Sequence, residues 1–227
     1  MLNKDNILKS VTVLYFTIAI VEIISEYFLY KPIIFVLKPL IPLCLLILYW
    51  INSTKINIVF IVVLLLSLIT NLLFIPNNPT YLFYGIIVFT IHRISILYLI
   101  FNFQKIKDYI PLLIATAPFL LIFSYLFMET TDIPDESFYL LIFQNILISI
   151  FAGVSLASYV MYDNKQSSIL LISALLFVIL QFVVFIEKYF LINEYQQLFR
   201  PLAMSLNAVA FYTFYKYVIE HEKLNNN

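Results

Sequence analysis

Polar residues break the chain into eight apolar runs of similar length, at approximately 10–29, 32–51, 56–75, 80–103, 109–128, 137–162, 168–191 and 198–220. Each comes close to the roughly 20 helical residues that cross a hydrocarbon core of about 30 Å. The breaks are short: Tyr30-Lys31, then Asn52-Ser53-Thr54-Lys55, then Pro76-Asn77-Asn78-Pro79, and comparable stretches after each later run. Breaks of that size join antiparallel neighbours. The pattern predicts an all-α polytopic bundle of eight transmembrane helices, with residues 1–227 forming one integral membrane domain. The first run follows Lys4 and Lys9 as a signal peptide would. Glu22 and Glu26 interrupt it and no small-x-small cleavage site follows, so it reads as a retained helix.

Composition sharpens the class. Hydrophobic residues make up 63% of the 227, charged ones 11%, and the mean hydropathy is +0.99, against about 45–50% and 25% in soluble domains. A soluble globule would have to coat its surface with the excess. Thirteen basic residues balance thirteen acidic ones with no block of either sign, which gives no footprint for nucleic acid.

The distribution of Lys and Arg sets an orientation. Eight of the thirteen, including Lys4, Lys9, Lys55, Lys105, Lys107 and Lys165, fall on the side shared by both termini, against Lys31, Lys188 and Arg200 on the other. Both termini are therefore expected in the cytoplasm of a cell with this protein in its inner membrane. The acidic segment 129–136 then faces outward. Cys44, the single cysteine, excludes an intrachain disulfide and a thiolate metal cluster and reads as a packing residue. Ser149, Gly153 and Ala157 form a small-xxx-small stripe that lets helices approach closely.

Ionisable and amide side chains inside the runs are costly there and point to a site. Glu22 and Glu26 stand four apart on one face of the first helix, and Lys38 lies early in the second. Asn71 is near the outer end of the third helix, His92 and Arg93 near the middle of the fourth, and Gln144 and Asn145 in the outer half of the sixth. Gln181 and Glu187 belong to the seventh, Arg200 and Asn207 to the eighth. At about 1.5 Å per residue most of them fall in the outer half or at the midplane. That predicts an outward-opening polar cavity floored by Arg93 and Gln181. The bland alternatives are snorkelling of Glu26, Glu187 and Arg200 from helix ends, an Arg93–Glu22 structural ion pair, a hydrogen-bonded core position for His92, and amides as interhelical glue.

No phosphate loop, H-E-x-x-H or G-x-S-x-G motif occurs, and His92 and His221 are far apart, so neither a cofactor nor a metal site is expected.

Leu37-Lys38-Pro39-Leu40-Ile41-Pro42-Leu43 in the second run resembles a motif of the YhhN family of lysoplasmalogenase-like membrane proteins. The run from Gly85 to His92, the helix from Ser173 to Gln181, and Arg200-Pro201-Leu202 after Tyr195-Gln196-Gln197 are also similar to that family. The resemblance implies an eight-helix inner-membrane fold and hydrolysis of the vinyl ether bond of lysoplasmalogens by two membrane-embedded aspartates. By position those aspartates fall on Asn71 and Gln181, and the family's histidine lies nearer Arg93 than His92. Neither amide can donate a proton at neutral pH, whereas vinyl ether hydrolysis needs a general acid. Glu22 or Glu26 is expected to supply it, with Lys38 or Arg93 holding the phosphate. His92, Gln144, Asn145 and Asn207 complete the expected contacts to a lysophospholipid or other single-chain lipid. A non-catalytic lipid-binding or interaction protein of the same fold is the alternative, with a small-solute or proton-coupled transporter behind it. The oligomeric state is left open.

Overall fold

A computed structural model describes residues 4–76, 78–104, 108–130, 135–191 and 195–224. Eight helices follow one another without a strand among the described residues: α1 (Lys4–Tyr27), α2 (Lys31–Asn52), α3 (Ile58–Phe74), α4 (Pro79–Phe103), α5 (Tyr109–Met128), α6 (Asp135–Tyr162), α7 (Lys165–Phe185) and α8 (Gln196–Leu224). A π-helical turn, Ile186–Phe190, continues α7. Six of the eight (α1, α2, α4, α5, α6 and α7) are long and apolar enough to cross a membrane, and α3 is a 17-residue apolar helix. The chain is thus a multi-pass membrane bundle. Lys105, Lys107 and residues 131–134 of the acidic connection lie outside the described residues.

Helix starts follow from polar residues at the breaks. Asn57, Asn78 and Asp108 each accept a hydrogen bond from a backbone N–H of the first turn, and Asn164 forms a capping box with Ser167. Such caps satisfy donors that the helix itself leaves orphaned. The expected boundaries move where polar residues are tolerated outside the apolar stretch: α1 begins at Lys4 rather than residue 10, and α8 runs on to Leu224 rather than stopping at 220.

Seven helices close into a ring in which α1 packs on α2, α2 on α3, α3 on α4, α4 on α6, α6 on α7, α7 on α8, and α8 back on α1. Helix α5 stands outside, with its main contact on α6. Gly153 makes that contact possible. A Cβ there would lie 2.0 Å from Thr116 Oγ1 and 2.8 Å from the Thr116 Cα, so the small-residue stripe of α6 is the seam that seats α5. Ser149 and Ala157 on the same stripe are buried.

The half of the ring nearest both termini has an aromatic core around Tyr49, Phe60, Phe214 and Tyr217. Cys44 is buried and unbridged in it, as a packing residue should be. The opposite half is where the ring does not fill.

Candidate functional site

A cavity of about 300 Å³ occupies the end of the ring away from the termini. All seven ring helices line it and α5 does not. It runs from Leu29 and Lys31 at the mouth to His92 and Phe211 at the floor.

The first wall is built by the prolines of α2. Pro42 has no N–H, so the Lys38 carbonyl loses its partner within the helix. Asn71 of α3 supplies one, its Nδ2 donating to the Lys38 carbonyl at 3.3 Å. The Lys38-Pro39-Leu40-Ile41-Pro42 step therefore explains why an amide is needed at position 71. Above it Lys38 Nζ donates to Glu26 Oε1 at 2.8 Å, with the Glu26 side chain nearly buried and its Oε2 without a hydrogen-bond partner. Ser67 and Thr70 share the cavity-facing side of α3 with Asn71. Their spacing, i, i+3 and i+4, marks one helix face, a signal that the sequence itself carries.

Gln144 of α6 reaches across to α4, its Nε2 donating to the Ile86 carbonyl and Thr90 Oγ1, both at 3.0 Å. Gln181 of α7 accepts from Arg93 at 3.5 Å. His92 is completely buried, has no hydrogen-bond partner on either ring nitrogen, and stacks on Phe89 with centroids 5.7 Å apart. Asn207 of α8 completes the polar part of the floor.

The π turn forms the opposite rim. Its backbone bonds skip one residue more than an α-helix, as in Leu191 N–H to the Ile186 carbonyl at 3.0 Å, which widens the turn. Glu187, Lys188 and Tyr189 all line the cavity there, and Glu187 Oε1 accepts from Arg200 Nε at 3.2 Å.

Of the expected residues, the cavity gathers Glu26, Lys38, Asn71, His92, Gln144, Gln181 and Asn207 in its lining. Glu22, Arg93 and Asn145 are buried outside that lining. Arg93 does not floor the cavity. Its guanidinium lies 4.7 Å from the Phe89 ring centre and 5.3 Å from that of Phe177, where stacking on ring faces stabilises a cation. It makes no ion pair with Glu22, whose two carboxylate oxygens have no hydrogen-bond partner. Of the neighbouring pairs His92-Arg93 and Gln144-Asn145, only His92 and Gln144 line the cavity. Glu26 and Glu187 do not snorkel; both are buried and paired inside the ring. His92 is a core residue without the hydrogen bonds expected of one. Lys31 and Lys188, read from the sequence as orientation signals alone, belong to the rim. Among the described residues no three His, Cys, Asp or Glu side chains come together as a metal site would require.

No curated protein and no solved structure gives a significant match to the chain. The profile of the YhhN family matches residues 33–218. That range holds Lys38, Asn71, His92 and Gln181, while Glu22 and Glu26 precede it. With most of the sequence matched, the chain belongs to the YhhN family.

Proposed function

We propose that this protein admits a single-chain lysophospholipid to the cavity and hydrolyses the vinyl ether bond of a lysoplasmalogen. In this reading the cavity end faces outward from the inner cell membrane. Water adds across the vinyl ether, giving a fatty aldehyde and a glycerophospho-head-group alcohol. Glu22, buried one turn from Glu26 and outside the Lys38 ion pair, carries the proton; Glu26 relays it to the β-carbon, and Lys38, 2.8 Å away, stabilises the negative charge left behind. Water attacks the oxocarbenium carbon and returns a proton to Glu26, and the hemiacetal then collapses to products. Asn71 and Gln181 stand at the family's carboxylate positions and orient the lipid or the water. Glu22, one turn along α1 and behind the lining, acts through Glu26 and touches no lipid. The observation that carries the proposal is the Glu26–Lys38 pair, set in the wall of an otherwise mainly apolar cavity.

The test is aldehyde release, followed by mass spectrometry, from lysoplasmenylethanolamine offered to protein in nanodiscs. Release above that of empty nanodiscs is expected, with a loss of about 100-fold or more in Glu26→Gln, the range for removing a general acid. A second reading is favoured by a specific observation: both amides are engaged, Asn71 with the Lys38 carbonyl and Gln181 with Arg93. Lipid retained intact with no aldehyde formed would overturn hydrolysis and leave a lipid-binding scaffold.

A further inference from the structure

The floor of the cavity carries polar groups that nothing in the protein satisfies. His92 lines the cavity, is fully buried, and has neither ring nitrogen hydrogen-bonded. Phe211 of α8 packs against it with ring centres 5.4 Å apart. Asn207, one turn earlier on the same face of α8, lines the cavity with Phe211. Gln181 is held next to them by Arg93, the chain neighbour of His92. A buried polar atom without a partner is costly. A ligand that supplies the missing partners recovers that cost, and a purely apolar one does not.

The amides here cannot present either end at will. A primary amide has an acceptor oxygen and a nitrogen with two donors. Arg93 Nη2 donates to Gln181 Oε1, which leaves the Gln181 N–H groups for a ligand. Gln144 is held the other way round. Its Nε2 donates to the Ile86 carbonyl and to Thr90 Oγ1, which leaves Oε1 as an acceptor. Thr90 precedes His92 by two residues, about 3 Å along α4, so both amides flank the imidazole. The set offers a fixed donor, a fixed acceptor and, in an uncharged imidazole, one of each. A carboxylate or a fully ionised phosphate brings acceptors alone and leaves the Gln144 oxygen unpaired. An ether has the same defect. Hydroxyls both donate and accept, and two on adjacent carbons satisfy a donor and an acceptor side by side.

We propose that the cavity floor, formed by His92, Gln181, Asn207 and the Gln144 carbonyl, binds an uncharged vicinal diol, and that Arg93 is the positioning residue that fixes which end of the Gln181 amide faces it. The site does not depend on hydrolysis at Glu26.

Equilibrium dialysis against protein in nanodiscs, with empty nanodiscs subtracted, compares propane-1,2-diol with 1,2-dimethoxypropane, which keeps both oxygens and loses both donors. The diol is expected to bind about tenfold or more tighter, the worth of one hydrogen bond to a buried partner. Isotope-labelled histidine locates the site by NMR, because the chain has two histidines and His221 lies at the end near the termini, stacked on Phe103. The diol is expected to move the His92 signal and to leave that of His221 in place. An unchanged His221 signal also reports that a variant is folded. Gln181→Met is expected to weaken the diol about tenfold and the ether less than about twofold. Arg93→Met frees the amide to turn over and is expected to weaken the diol about threefold, with no further loss in the Gln181→Met background. A hexyl ether of glycerol binding about tenfold tighter than propane-1,2-diol would support the site with the diol at the end of a chain, and equal binding would support it with a free polyol. Equal affinity of the diol and its dimethyl ether, or a His92 signal that no probe moves, would overturn the site. An Arg93→Met loss that persists in full without Gln181 would overturn the positioning role. None of these outcomes bears on aldehyde release, which Glu26→Gln reads separately.

Discussion

Glu222 and Glu22 sit at opposite ends of the bundle, both buried, and the fold treats them differently. Glu222, 7% exposed, accepts hydrogen bonds from the Tyr49 hydroxyl at 2.7 Å, the Ser53 hydroxyl at 2.9 Å and the Thr54 backbone N–H at 3.2 Å. Tyr49 in turn accepts from the Asn57 N–H at 2.7 Å. One carboxylate thereby pins the connection between α2 and α3 onto α8. Glu22 is fully buried and both its oxygens lack a hydrogen-bond partner. A buried polar group left unsatisfied opposes folding. The end near the termini is built for stability, and the cavity half keeps polar groups that stability alone would remove.

The largest effect that can break this contrast lies at Lys38. Removing one member of a buried ion pair leaves the other uncompensated and costs about 3–5 kcal/mol, whereas replacing both with apolar residues is often close to neutral. Lys38→Met is therefore expected to destabilise by about 3 kcal/mol in reversible unfolding in mixed micelles. Lys38→Met with Glu26→Leu is expected to recover most of that loss. A double variant as unstable as the single one would show that the pair holds the fold and would move the cavity half into the structural class.

Glu222 and Glu22 supply the next comparison. Glu222→Ala strands three donors and is expected to lower stability by about 2 kcal/mol. Glu22→Leu strands none and is expected to change it by less than about 1 kcal/mol, in the stabilising direction. If Glu22→Leu proved as damaging as Glu222→Ala in the same unfolding measurement, Glu22 would belong to the framework.

Much of the fold was legible because a bilayer imposes a length on every apolar run and short polar breaks leave few ways to connect them. Capping residues such as Asn57, Asn78 and Asp108 stand at the breaks for the same physical reason. Depth was legible too, since counting residues along a helix gives height. Azimuth was not. His92 and Arg93 have the same height, and so do Gln144 and Asn145, yet one of each pair lines the cavity. Choosing between them requires the order of helices around the ring, with α5 excluded from it, and no hydropathy pattern carries that order. The π turn left no mark in Ile186-Glu187-Lys188-Tyr189-Phe190 that could be told from ordinary helix, so Lys188 was missed as a rim residue. Glu222 was missed because it lies beyond the last apolar run, where a carboxylate reads as solvated.

The smallest expected effect on stability is at His92, and there binding and folding separate most cleanly. Its imidazole stacks on Phe89 and lies 5.4 Å from the Phe211 ring centre, with neither nitrogen bonded. Phenylalanine preserves those ring contacts and removes two unsatisfied polar atoms, so the lost packing is small and the relieved desolvation offsets it. His92→Phe is expected to stay within about 1 kcal/mol of the parent in unfolding. The same change removes one polar group from the cavity floor and leaves Gln181 and Asn207 in place. A ligand that places a hydrogen-bonding group beside His92 should lose about tenfold in affinity, read by the nanodisc binding measurement, while one that places only hydrocarbon there should gain. A loss of stability of several kcal/mol instead would make His92 a framework residue, and the contrast between the two halves would then stop short of the floor and apply to the mouth and to Glu22.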